Sequence, residues 1–297
     1  MNLPQMENKK NAPAIVVIPY RLWSTFNLNL LPLDAVEWPL GRPDRLRFGT
    51  LHDLDKDDHI ITFPRKPVFF FPRYKIKANI SVMIVEPDVI HKMYLLLSKY
   101  LNWRFYRILT KNKYLLNNIS NSSFFYFGST FLEDWHNIDI RKTKMASLIA
   151  SSQNKLIGHK LRHEIAEHIK RNNFNISLIG RGYKPFEKKE DGLKSYRYSI
   201  VIENSSEKDY FTEKVIDACL LETIPIYWGA PNIAKYFDTR GFIICKNANQ
   251  ILLAIKSMSI DDYNSKIVWI KKNRETAAYH ANYSKRAAEV IQNSLSN

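Results

Sequence analysis

Residues 198–232 read YSIVIENSSEKDYFTEKVIDACLLETIPIYWGAPN. An apolar, β-branched run from Tyr198 to Ile202 stops abruptly at Glu203, Asn204 and Ser205. An amphipathic stretch from Tyr210 to Glu222 follows, and a second apolar run, Ile224 to Trp228, ends in Gly229, Ala230, Pro231 and Asn232. Short apolar runs bounded by polar and Gly/Pro residues read as buried strands, and the longer amphipathic segment between them as a helix. A strand, a helix and a strand in that order form a βαβ unit with parallel strands and a right-handed crossover. The stretch therefore predicts an α/β fold with mostly parallel sheets.

The same alternation extends in both directions. Upstream, Ala146 to Ala150 reads as a strand, His159 to Arg171 as a helix with Leu161, Ile165 and Ile169 on one face, and Asn175 to Ile179 as a strand. Downstream come a strand at Phe242 to Ile244 and two terminal helices. The first half predicts strands at Ala14 to Ile18, His59 to Phe63, Pro67 to Phe71, Ile80 to Val85, Phe105 to Leu109 and Phe124 to Phe127. Between them, Val89 to Tyr100 carries Ile90, Met93, Leu96 and Leu97 at helical spacing, and the charged segment Leu51 to Asp58 reads as a loop. The basic, polar stretch Asn137 to Lys144 suits a linker. The reading is thus two Rossmann-like domains facing a cleft, residues 1–142 and 143–297.

With 297 residues and 45% hydrophobic content the chain can bury a substantial core. No apolar run is long enough to span a membrane, and Met1 to Pro13 lacks the apolar block of a secretory signal, so a cytoplasmic protein is expected. Its two cysteines, Cys219 and Cys245, make neither a disulfide framework nor a metal knuckle. The formal charge of +15 favours anionic partners: nucleic acid, an anionic membrane face or a phosphate-bearing substrate. The aromatic residues, 16 Phe, 16 Tyr and 6 Trp, fall mainly in predicted strands rather than in basic patches, which argues against nucleic acid.

In open parallel sheets ligands bind beyond the carboxyl ends of the strands. Three such ends are polar or tightly turned here: Glu203 to Ser205, Gly180 to Gly182 with Arg181 between the glycines, and Gly229 to Asn232. The helix opening at Tyr210, Phe211, Thr212, Glu213 and Lys214 combines free backbone N–H groups, a carboxylate and an ammonium, which suits a nucleotide; a capped surface helix is the alternative. Arg162, with His159 and Lys160 before it, offers a pyrophosphate clamp or a solvated basic face. Glu86 follows a predicted strand of the first domain, where burial could fit it as a general base, or it serves as part of a helix cap ahead of Asp88. Asp55-Lys56-Asp57 has the D-x-D form of a metal site but sits in a run of charges typical of a solvated turn. His159 and His163 have the i, i+4 spacing of a zinc protease without its acid, and no phosphate-binding glycine loop or nucleophile elbow occurs.

Taken together, Ile200 to Ser205, Tyr210-Phe211-Thr212-Glu213-Lys214 and Ile224 to Asn232 resemble glycosyltransferase family 10, the α-1,3/1,4-fucosyltransferases, in order and spacing. Ser151 to Asn154 with Gly158 to Arg162 is similar, more loosely, to the family's donor-contacting loop and helix start. The resemblance implies a GT-B fold, an N-terminal acceptor-binding domain, a C-terminal GDP-sugar domain and inverting transfer of L-fucose from GDP-fucose to a GlcNAc-containing glycan, α-1,3-linked. It implies Glu86 as catalytic base, a donor site of Arg162, Arg181, Glu203, Asn204, Tyr210, Glu213 and Lys214, and no required cofactor, magnesium or manganese being at most stimulatory. Lys160 stays open as the clamp in place of Arg162, and another GDP-deoxyhexose in place of fucose. The expected partners are the GDP-sugar, an oligosaccharide or lipid-linked acceptor for lipopolysaccharide or protein glycosylation, and an anionic membrane face at the cytoplasmic side.

Overall fold

The computed structural model describes residues 12–22, 27–70, 72–73 and 75–296, so the signal reading on the first eleven residues lies outside it. The described chain forms two compact units. One holds residues up to Tyr126 and returns for Tyr283–Asn297; the other is Phe127–Asn282.

The first unit runs β1 (Ile15–Val17), β2 (His59–Thr62), α1 (Lys66–Phe70), β3 (Asn79–Ile84), α2 (Asp88–Leu101), β4 (Ile108–Thr110), α3 (Lys113–Asn118) and β5 (Ser122–Phe124). The second comprises β6 (Lys144–Ile149), α4 (Ile157–Arg171), β7 (Ile176–Ile179), β8 (Tyr196–Ile202), α5 (Glu213–Leu220), β9 (Ile224–Trp228), β10 (Ile243–Ile244), α6 (Ala248–Ser257), α7 (Ile260–Ser265) and α8 (Ile267–Ala281). A last helix, α9 (Tyr283–Leu295), belongs to the first unit.

All five strands of the first unit pair in parallel and in chain order, β1-β2-β3-β4-β5. Right-handed crossovers that always step the same way put their connections on one face of a sheet. On that face Val16, Ile18, Ile60, Val82 and Ile84 pack with Phe69 of α1, Leu95 and Leu97 of α2 and Leu115 of α3. The opposite face, with buried Ile15, Val17 and Ile61, is covered by α9, whose Ala287 and Ile291 are themselves fully buried.

The second sheet has order β10-β9-β8-β6-β7, again parallel throughout. From β6 the chain steps one way to β7 and the other way to β8, so the topological switch lies between β6 and β8. Helices α4 and α6 cover the face built from Leu148, Tyr198, Ile200 and Ile226, while α5 packs on the other.

Several expectations are corrected. Pro67 to Phe71 is not a strand: Lys66–Phe70 is the helix α1, and Phe71 lies outside the described residues. Proline is tolerated in a helix's first turn, where its missing N–H has no intrahelical acceptor, and Val68 and Phe69 gain burial. Strand β5 pairs Ser122 to Phe124 with Ile108 to Thr110, earlier than the aromatic run suggested, because the Asn121 amide fixes the register through the carbonyls of Asn102 and Phe105. Helix α5 begins at Glu213 rather than Tyr210, since extended Thr212 caps it. The described chain after β10 forms four helices instead of two. The units divide at 126/127 and 282/283, not at 142/143. The expected linker is anchored inside the second unit: the Lys142 ammonium donates to the carbonyls of Lys194 and Leu221 and to the Thr223 hydroxyl. Helix α2 stands where the apolar spacing predicted it, and of the residues that carry that spacing Ile90, Met93 and Leu96 are exposed.

Candidate donor site

Helix α4 meets the end of β8 through a glycine. A β-carbon at Gly158 would lie 1.7 Å from the Glu203 carbonyl oxygen, and the Gly158 N–H donates to the Asn204 carbonyl. One turn on, buried Arg162 donates from Nε to the Ile202 carbonyl at 3.0 Å and from Nη2 to Asn204 Oδ1 at 2.5 Å. A guanidinium has five N–H donors in a planar fork, so these bonds hold it and leave others for a ligand. Burial lowers its pKa, opposed by Glu203, Glu213 and Tyr210.

The segment between β8 and α5 is closed from below by Glu203. Its carboxylate, fully buried, accepts from the Thr212 N–H at 2.9 Å and the Thr212 hydroxyl at 2.7 Å. Burial pushes its pKa up against the pull of Lys214. The loop in front is pinned to the turn after β9: Ser206 donates to the Gly229 carbonyl, and Asn232 both donates to the Asp209 carboxylate and accepts from its N–H. Asp209 has φ +60°, a strained conformation for a non-glycine residue, held by those bonds and by the Tyr236 hydroxyl.

At the start of α5, Lys214 Nζ lies 3.1 Å from Glu213 and 3.7 Å from Glu203. Lys189 completes the cluster, 3.7 Å from Glu213 and 3.0 Å from buried Asp217, which also accepts from the Thr130 hydroxyl. Burial alone would raise Glu213, but Lys214 and Lys189 outweigh it and hold the carboxyl down at about 2. Glu213 is therefore an anion at neutral pH.

These groups surround a cavity of about 280 Å³ at the switch between β6 and β8, lined among others by Ser151, Arg162, Lys189, Asn204, Glu213 and Lys214. Four of the seven expected donor residues, Arg162, Asn204, Glu213 and Lys214, thus line one cavity. Glu203 lies under the loop as its clamp, and Tyr210 is buried close enough to influence Arg162. Arg181 is exposed beyond β7 and not part of the lining, as is Lys160 on α4. Glu86 stands half-exposed after β3, in the middle strand of the first unit. It is near enough to Tyr20 to add to the effect of burial in raising that phenol's pKa. Asp55 of the D-x-D faces Arg45 at 3.8 Å, and among the described residues no three His, Cys, Asp or Glu side chains cluster as metal ligands.

The residue sequence reading missed is Lys189, hidden in the charged run Glu187 to Asp191. Its signal was Asp217, an acid in the apolar string Val215 to Leu221, one turn beyond Glu213 and in need of a counter-charge.

Residues 140–289, half of the chain, match the family model described as glycosyltransferase family 10 (fucosyltransferase) C-term. The chain belongs to glycosyltransferase family 10. It is 44% identical over 55 residues to the alpha-(1,3)-fucosyltransferase FucT of Helicobacter pylori, covering 18% of this chain and 12% of that protein. It is 31% identical over 78 residues to a putative fucosyltransferase-like protein of Arabidopsis thaliana, 25% of this chain and 15% of that one. The matched segments thus span well under a fifth of these relatives' length. Crystal structures of alpha1,3-fucosyltransferase with GDP-fucose and with GDP superpose with TM-scores of 0.53 and 0.52. Each is 16% identical; the first alignment covers 94% of both chains, the second 95% of this chain and 94% of the other. At this identity the likeness is one of fold, which is GT-B in this family 10 protein.

Proposed function

We propose that this family 10 protein transfers L-fucose from GDP-fucose to a hydroxyl of a GlcNAc-containing glycan, free or lipid-linked, with inversion at the sugar carbon. The observation that carries the reading is the switch-point cavity, where buried Arg162 and half-buried Lys214 bring positive charge beside Glu213, held anionic. Two cations suit a diphosphate, and a carboxylate accepts hydrogen bonds from both hydroxyls of a ribose. Membership of the family, and the GDP-fucose and GDP in the two crystal structures, support GDP-fucose as donor.

In the proposed reaction the acceptor oxygen attacks the anomeric carbon as the bond from that carbon to the diphosphate oxygen breaks. GDP departs with the bonding electrons, and Arg162 and Lys214 stabilise its growing charge. The acceptor's proton passes to Glu86, a carboxylate at the carboxyl end of a strand in the proposed acceptor unit. A different GDP-deoxyhexose would use the same donor groups.

The test is a panel of nucleotide sugars. GDP and GDP-fucose are expected to raise the unfolding midpoint, a ligand at 100 times its Kd adding about 2.7 kcal/mol, while UDP and ADP sugars leave it unchanged. Equal shifts with UDP-sugars remove the donor assignment. Transfer is expected to survive EDTA; loss on chelation with recovery on adding manganese overturns the metal-independent reading.

A further inference from the structure

The solvent side of α2 is apolar. Val89, Met93, Leu96 and Tyr100 recur at steps of four, three and four, which places them on one stripe of a helix, and all are exposed, Leu96 at 56% and Tyr100 at 64%. Trp103, 72% exposed, follows at the helix's end. Another side of the helix already packs against the core through half-buried Leu95, Leu97 and Leu101, so the stripe is additional to what folding requires.

The charge around it is one-sided. Between residues 59 and 132 the sequence has eleven Lys and Arg against two acids, Glu86 and Asp88, and none of the acids lies beyond position 88. Lys92 and Lys99 are exposed on α2 itself. At the Trp103 end a pocket of about 240 Å³ is lined, among the described residues, by Pro72, Arg73, Trp103 and Arg104. Arg73 Nη2 is buried there without a hydrogen-bond partner among the described residues, and burial together with neighbouring Arg104 lowers its pKa. Two guanidinium groups lining one pocket suit an anion.

We propose that this face of the first unit docks on an anionic lipid surface, the α2 stripe entering the headgroup boundary and the Arg73–Arg104 pocket taking a lipid phosphate. An apolar stripe flanked by basic residues and closed by Tyr and Trp is the composition of an interfacial helix. A second copy of the chain fits less well, because Lys92, Lys99 and Arg104 would then face their own equivalents. Nucleic acid would leave Val89, Met93 and Leu96 with no role. The contact is peripheral, since no described helix is long and apolar enough to cross a membrane. It goes beyond the proposed reaction and does not rest on it, as lipid binding is read without donor or acceptor.

The test is co-sedimentation of the full chain with vesicles of phosphatidylcholine, with or without phosphatidylglycerol. Binding is expected only to the anionic vesicles, weakening with salt. Replacing both arginines (Arg73→Gln with Arg104→Gln) should lower partitioning about thirtyfold, from about 1 kcal/mol per basic residue at an anionic surface. The surface pair Lys92→Gln with Lys99→Gln should do about the same and carries no risk to the core, while Leu96→Asp should abolish most of the remainder. Unfolding midpoints in solution should not move. The proposal is overturned by absence of binding, by equal binding to neutral vesicles, or by unchanged partitioning of the lysine variant. It is equally overturned if Leu96→Asp dissolves a dimer, if the same variants lose nucleic acid instead, or if soluble glycerol phosphate alone displaces the protein and so marks a small-anion pocket.

Discussion

Gly158 presses its α-carbon onto the Glu203 carbonyl so closely that any β-carbon there would sit 1.7 Å from the oxygen. The atom it would strike is backbone, fixed by the Glu203 N–H bond to the Trp228 carbonyl and by the Glu203–Thr212 clamp. Relief therefore requires α4 to move, and α4 carries Arg162. Gly158→Ala should destabilise the fold by about 1–3 kcal/mol, the cost of overpacking, and weaken GDP binding as well. Gly182→Ala is the control, its nearest neighbour lying 3.2 Å away. Denaturant unfolding and GDP titration of the two variants check this; equal behaviour would mean that α4 shifts at no cost.

The role of Arg162 depends on its fork. Nε and Nη2 reach the Ile202 carbonyl and the Asn204 amide oxygen together, which a lysine ammonium on a flexible stem cannot reproduce while also facing the cavity. Arg162→Lys should keep the charge yet weaken GDP by about 1.5–3 kcal/mol, the scale of hydrogen bonds to a charged group. Lys160→Gln, on the exposed side of α4, should bind GDP as the parent does. Calorimetric titration separates them, and the reverse ranking would transfer the clamp to Lys160.

How much of this was legible follows from what each residue answers to. The second unit's strands and the Glu203 to Lys214 segment were readable because burial on both faces makes parallel strands continuous apolar runs whose polar ends stand out. The same reasoning located α2, Asp88–Leu101, but did not orient it, because helical spacing reports a shared face and not which way it points. Met93 and Leu96 obey the period and face solvent. Glu203 was read as a ligand group because a carboxylate after a strand looks the same in sequence whether it meets a substrate or, as here, its own chain at Thr212. Asp217 signalled that some cation must meet it, but not which one: Lys189 lies 28 positions away and only folding brings the two charges together. The return of α9 to the first unit is a tertiary choice: an amphipathic helix shows that it has an apolar face, not which sheet will cover it.

Glu86 and Glu213 should fail differently. Glu86→Gln removes the proposed base and should lower turnover by about 10² to 10⁴ while leaving GDP affinity unchanged. Glu213→Gln keeps the shape but removes the anion that faces Lys214 and Lys189, so GDP affinity should fall by about 1.5–3 kcal/mol. Steady-state kinetics with GDP titration distinguish the two. Normal turnover of Glu86→Gln would place the base elsewhere in the first unit, Asp88 being the next acid along the chain.

The ionisation of Glu213 links the cavity to stability. Its carboxyl, ordinarily near 4.5, is held at about 2 because Lys214 and Lys189 outweigh the effect of burial. A carboxylate with a depressed folded-state pKa contributes stability that is fully present above its unfolded value and lost as pH falls through the folded one. The window is therefore about pH 4.5 down to about 2, and the contribution is on the order of 3 kcal/mol. Glu203 works in the opposite sense: burial raises its pKa, so its ionisation costs stability as pH rises above the ordinary carboxylate range. The parent protein alone would show the two effects overlaid. The difference between parent and Glu213→Gln is dominated by the first, because Gln does not titrate and Glu203 remains in both, its pKa raised mainly by burial and only in a smaller part by Glu213. Urea unfolding at a series of pH values should show the parent's advantage present near neutrality and shrinking between pH 5 and pH 2. Parallel curves through that window would mean that Glu213 is not held ionised by the two lysines, and the anionic carboxylate proposed to receive the ribose hydroxyls would lose its physical basis.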